Sequence, residues 1–163
     1  MIETRPYMRS LAGLAGCYRE RGDLEQAIAI FNKLLHLNPD DNQGVRYLLA
    51  FSLLESGRDV EFAAFIREHG DEASFFMAYS KALWAFRSGD KRKDAYLREA
   101  LQENPYVLPY LVGEKRLPYQ LPDYYSPGGE DEAVLYAKEA RATWEKTAAA
   151  LVWLKGMSPL KEN

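Results

Sequence analysis

Cysteine is almost missing from this 163-residue chain. Cys17 stands alone, so no internal disulfide can form, which fits a reducing compartment. Flanked by Gly16 and Tyr18 on an apolar helical stretch, it reads as a buried small hydrophobe. Histidine is scarce too. His36 and His69 each fall near a helix C-terminus, where the helix dipole accounts for a partly charged imidazole. Neither has a second ligand at H-x-x-x-H spacing, so no metal is expected. No apolar run approaches the roughly 18 residues of a membrane span. Residues 1–10 are polar, contain Pro6 and do not resemble a signal peptide. The chain is therefore expected to be cytoplasmic and free of membrane contacts.

Excess positive charge is also lacking. The net charge of −3 gives no general attraction to nucleic acid. One local basic cluster, Arg87 with Lys91, Arg92 and Lys93, flanks a turn and reads as a solvated turn in preference to a phosphate site. The phosphate-loop, dinucleotide and nucleophile-elbow motifs are all missing, and no cofactor is implied. Catalysis ranks last among the functional readings, and the chain is expected not to be an enzyme.

What the chain has is helical punctuation. Hydrophobic residues make up 47% and charged residues 28%, a globular balance with material for a core. Leu11, Leu14 and Tyr18 recur at helical spacing among the small residues Ala12, Gly13, Ala15 and Gly16. Gly22 predicts a left-handed stop. Asp23 with Gln26 predicts a capping box opening a second helix with an inner stripe of Ala27, Ile30, Phe31 and Leu34, ended by Pro39. Helices follow at 45–56, 59–69, 72–88 and 91–103. The turn glycines Gly22, Gly57 and Gly89 lie 35 and 32 residues apart, and the Asn-Pro pairs at 38–39 and 104–105 lie 66 apart. That is a repeat of about 34 residues.

Five of the eight prolines and five of the eleven tyrosines fall between Pro105 and Pro127. A flexible linker would avoid large rings. Tyr106, Val107, Leu108, Tyr110, Leu111, Val112, Leu117, Leu121, Tyr124 and Tyr125 call for burial, predicting an ordered strap across the third hairpin. Pro105 suits the start of a short helix over 106–112, ended by Gly113. "PYQLP" lacks PxxP spacing, since Pro118 and Pro122 are four apart. Glu130, Asp131 and Glu132 suit the first turn of the next helix as a capping device. That helix, 130–155, carries Val134, Ala137, Ala140, Trp144, Leu151 and Leu154 along one stripe and bends near Thr147.

The helix–glycine turn–helix period resembles the tetratricopeptide repeat. Leu11, Leu14, Ala15, Tyr18, Gly22, Ala27, Phe31 and Pro39 sit at that family's signature spacings. Leu49, Ala50, Leu53 and Gly57 carry a second, degenerate repeat; Gly89, Ala100 and Pro105 carry a third. Beyond this, "TRPYMR", "LNPDDNQGVRYLL" and residues 104–147 are similar to a bacterial tetratricopeptide-like family of unknown function. The C-terminal pattern is also similar to the C-terminal part of the suppressor of tumorigenicity seven family, through Asn104, Val107, Pro109, Tyr110, Leu111, Glu132, Ala133, Tyr136, Ala137 and Trp144. Longer members carry extra sequence before "TRPYMR", so the chain is either a short member or the C-terminal piece of a longer protein.

The expected architecture is a single all-α domain, a tetratricopeptide-like right-handed solenoid. Its hairpins would span 7–39, 42–70 and 72–105, followed by a strap at 106–128 and a C-terminal capping helix at 129–156. On such a frame the inner face would carry Arg19, Tyr47, Phe51 and Leu54, the candidate partner-binding residues. Either a partner or the strap and last helix would fill that groove. The first reading is a non-enzymatic interaction module binding a protein or peptide. A homodimer would form through the small-residue face of the first hairpin. The alternative is a regulatory or small-ligand-binding subunit with an aromatic-lined pocket.

Overall fold

The computed structural model describes residues 4–41, 44–69 and 75–157. Among these the chain is all-α, with nine helices and no strand. It divides into two compact units, residues 1–65 and 66–163.

In the first unit α1 (Thr4–Glu20) packs against α2 (Leu24–Leu37), and α2 against α3 (Val45–Glu55). Pro6 lies inside the first turn of α1, which therefore starts earlier than the expected residue 7; its missing N–H would have had no helical partner there. Asp23 caps α2 by accepting from the Gln26 amide at 3.4 Å. Ala27, Ile28, Phe31 and Leu34 are its buried face. Ile28 takes the place expected for Ile30, which is half-buried. Asp41 caps α3 through both carboxylate oxygens, to the amides of Val45 (2.7 Å) and Arg46 (3.0 Å). A turn at Gly57 joins α3 to α4 (Asp59–His69), and the boundary between the units falls within α4. Gly22 and Gly57 have φ of 79° and 75°, a backbone region that side-chain-bearing residues avoid.

In the second unit α5 (Phe75–Ser88) and α6 (Lys93–Glu103) form a hairpin about Gly89. The expected start at 72 lies outside the described residues. A short α7 (Val107–Leu111) packs on α8 (Glu130–Glu145), which packs on α9 (Ala148–Gly156). Lys146 and Thr147 break the last helix in two where a bend was expected. Trp144, Tyr136 and Tyr79 are the largest fully buried side chains of the unit. They pack together: Trp144 Nε1 donates to Tyr136 Oη at 3.1 Å, and the rings of Tyr79 and Tyr136 lie 5.5 Å apart.

The strap divides in two. Val107, Leu108, Tyr110 and Leu111 are buried, as their chemistry demands. Tyr106, Tyr119, Tyr124 and Tyr125 are exposed, against the expectation that these rings are covered. Pro118 and Pro122 keep the backbone out of helix, and among the described residues no element covers the rings of Tyr119 and Tyr124.

Candidate functional site

The four residues proposed to face a partner do not form an open groove. Phe51 and Leu54 are only 5% and 2% exposed. They lie among Val45, Leu49, Ala50 and Leu53, which make almost the whole length of α3 a core element. Arg19 and Tyr47 are half-buried. Arg19 spans the α1–α3 side of the unit: its guanidinium sits 5.9 Å over the Phe51 ring and 3.8 Å from the Glu55 carboxylate. Arg19, Phe51 and Glu55 are thus together, but as internal packing.

The exposed apolar side chains of the first unit are elsewhere. Of the 17 residues in α1, Ala15 alone is buried. Leu14 is 46% exposed and Tyr7 is 50% exposed. Cys17, expected inside, is exposed, because it shares the solvent side of the helix with Gly13 and Leu14 at helical spacing. Among the described residues, a methyl group built on Gly13 or Gly16 would meet nothing within 4 Å, so none of them requires glycine at either position.

The second unit holds a polar node where the strap begins and ends. Asn104 is fully buried at the end of α6. Its Nδ2 donates to the Gly129 carbonyl (2.9 Å) and to Glu132 Oε1 (3.3 Å), and its Oδ1 accepts from the Tyr106 amide (3.0 Å). The Asn104 carbonyl accepts from the buried Tyr79 hydroxyl. Glu132 Oε1 also accepts from the Gly128 amide at 3.1 Å. Asp131 accepts from the Ser126 amide at 3.0 Å. Glu130 accepts from Lys115 (2.6 Å) and Tyr110 (2.8 Å), and these donors, the lysine first, hold its carboxyl below the usual carboxylate range. The acidic triplet therefore does more than favour a helix start; each carboxylate fastens part of the strap. Burial pushes the Tyr136 hydroxyl up to about 12 and raises that of Tyr79 as well.

A third cluster lies on the α5–α6 hairpin. Lys81 Nζ and the Arg92 guanidinium sit 4.2 and 5.3 Å over the Tyr96 ring. Lys93 Nζ sits 4.9 Å over Trp153, which stacks on Phe86 at 5.0 Å and donates to Asp94 at 2.8 Å. Arg92 grips Asp90 through two hydrogen bonds and holds that carboxyl below its ordinary range.

Among the described residues no group of three or more His, Cys, Asp or Glu could hold a metal ion. Nor is any described helix long and apolar enough to cross a membrane. The residues that carried the C-terminal likeness are nearly all interior: Asn104, Val107, Tyr110, Leu111, Glu132, Ala133, Tyr136, Ala137 and Trp144 are buried. Their pattern is one of buried positions.

Comparison with curated proteins and with solved structures returned no significant match. The sequence does match the tetratricopeptide repeat family over residues 18–75, from the end of α1 to the start of α5. Such repeats generally mediate contacts between proteins, on scaffolds that are generally not enzymes. Residues 18–75 are a tetratricopeptide-type repeat, and the chain has an all-α, tetratricopeptide-like fold.

Proposed function

We propose that the chain is a non-enzymatic protein-interaction module whose contact surface is the solvent side of α1. The observation that carries this reading is the composition of that side. An exposed Leu14 is flanked by Gly13 and Cys17, and among the described residues Gly13 has no internal neighbour to accommodate. Glycine inside a helix costs about 1 kcal/mol relative to alanine, so it persists where backbone must come close to something. A second helix laid along Gly13 would cover Leu14.

The occupant is a protein segment, and the simplest is a second copy in a two-fold pair. In a longer tetratricopeptide-type chain, an upstream repeat would occupy this side. The concave-groove version of the reading loses Phe51 and Leu54, which are already covered.

Sedimentation velocity at micromolar concentration tests the proposal. The parent should self-associate reversibly. Leu14→Glu should be monomeric with an unchanged helical circular dichroism spectrum, since its side chain is half in solvent. A parent that sediments as a strict monomer removes the second copy as occupant.

A further inference from the structure

The basic cluster on α5–α6 has properties that a solvated turn does not need. Residues 81–98 carry six cations, Lys81, Arg87, Lys91, Arg92, Lys93 and Arg98, against two anions, Asp90 and Asp94. That segment is therefore +4 in a chain of net −3, which leaves −7 for all the rest. Charge segregated this sharply creates a local field of opposite sign to the molecule's own. The helix dipole does not explain it. Lys91, Arg92 and Lys93 crowd the start of α6, where the helix dipole disfavours cations.

The cations are also presented in an ordered way. Lys81 and Arg92 share the Tyr96 ring, and Lys93 lies over Trp153 while pairing with Asp94 at 3.0 Å. Tyr96 and Trp153 are only half-buried, so part of each ring remains open. Lys93 and Tyr96 are three apart on α6 and line one side of it. The Arg92 side chain is 68% exposed despite its grip on Asp90. Lys91 and Arg98 are exposed as well.

We propose that this face of the α5–α6 hairpin docks an acidic protein segment, with carboxylates pairing Lys91, Arg92 and Lys93 and an apolar or aromatic side chain resting on the open ring surface. The inference deepens the reading of the chain as an interaction module and rests on it, but uses a surface separate from α1. Complementary charge selects the partner's chemistry. A nucleic acid fits less well, because a long polyanion would run beyond this short patch and be opposed by the −7 carried by the rest of the chain.

The test uses the full chain and a fluorescein-labelled peptide, Glu-Asp-Glu-Tyr-Glu-Asp-Glu, followed by anisotropy. The same peptide with lysine at every acidic position is one control, and a uridine oligonucleotide of matched charge is another. The acidic peptide should bind, and more weakly at about 0.3 M salt than at low salt. Lys91→Glu with Arg92→Glu should weaken binding about tenfold or more, whereas Arg21→Glu with Arg67→Glu, an equal change of net charge, should stay within about twofold. Absence of peptide binding, equal loss in both double variants, or tighter binding of the oligonucleotide overturns the proposal. Leu14→Glu should keep the peptide affinity of the parent. Loss of peptide binding alone thus defeats this inference and leaves the α1 surface standing, while an unaltered sedimentation pattern in Leu14→Glu defeats only the latter.

Discussion

The side-chain nitrogen of Asn104 lies 2.9 Å from the carbonyl oxygen of Gly129, so the residue that ends α6 holds the residue that precedes α8. The same side chain accepts from the Tyr106 amide. Asn104→Ala would take the acceptor from the Tyr106 amide and one donor each from Glu132 and the Gly129 carbonyl, which keep the Gly128 and Ala133 amides. An unsatisfied buried group costs about 1–3 kcal/mol, and a loss of about that size is expected in urea denaturation. Amide exchange at Tyr106 and Gly128 should accelerate in the same variant. Exchange unchanged at both would show that the node is not what closes the strap.

Trp144 is the largest buried side chain, and its indole N–H donates to Tyr136. Trp144→Ala should cost about 3–5 kcal/mol by thermal or chemical unfolding. Trp153, half-buried and partnered through Asp94, should tolerate the same change with a smaller loss. Equal losses would place α9 at the centre of the unit's stability.

Phe51 and Leu54 should behave as core residues. Phe51→Ala is expected to cost about 3–5 kcal/mol and Leu54→Ala about 2–5 kcal/mol, measured by denaturation of the isolated chain. Near-native stability in either variant would mean that the side chain awaits a partner.

The buried tyrosines make stability fall at high pH. An unfolded tyrosine titrates near 10. Folding raises Tyr136 to about 12, because burial penalises the phenolate. The folded state then holds its proton where the unfolded state has lost it. This contribution is fully present below pH about 10 and is lost as pH rises towards about 12. The denaturation midpoint should drop across that window, and Tyr136→Phe should flatten the drop. Tyrosinate absorbance read beside circular dichroism checks it; ionisation of the buried rings while the helices stay intact would contradict it.

Two glycines with open space around them should respond in opposite directions. Gly13 lies in a helix with ordinary backbone angles, so Gly13→Ala should stabilise by about 1 kcal/mol or less. Gly22 holds φ at 79°, so Gly22→Ala should destabilise by about 1 kcal/mol. If Gly13 serves association, Gly13→Ala should also weaken self-association. A gain in both properties would argue against the α1 surface.

Turns and caps are legible in the sequence because they act over a few residues. Gly22, Asp23 and Gly57 fix backbone angles and caps within a few residues, and no distant contact can easily override them. Side choice on α1 was less legible. Leu14 and Ala15 are neighbours, both apolar, and periodicity alone favoured the larger one, yet Ala15 is buried and Leu14 stands half in solvent. The strap shows a related limit. Tyr110 and Tyr119 have the same hydrophobicity, but only Tyr110 has an element, α8, against which to pack. The node at Asn104 was invisible as a site, since an Asn-Pro pair reads as a helix stop and nothing in its spacing announces Gly129.

The closed base of the strap has a practical consequence. Because the chain leaves at Asn104 and returns at Gly129, the residues between α7 and Gly128 do not set the distance between the helices they connect. Doubling the length of a flexible loop costs only about 0.6 kcal/mol in closure entropy. The exposed turn around Tyr119 and Gln120 is therefore a place to graft a foreign peptide, an affinity tag or a small reporter domain while α6 and α8 stay clasped.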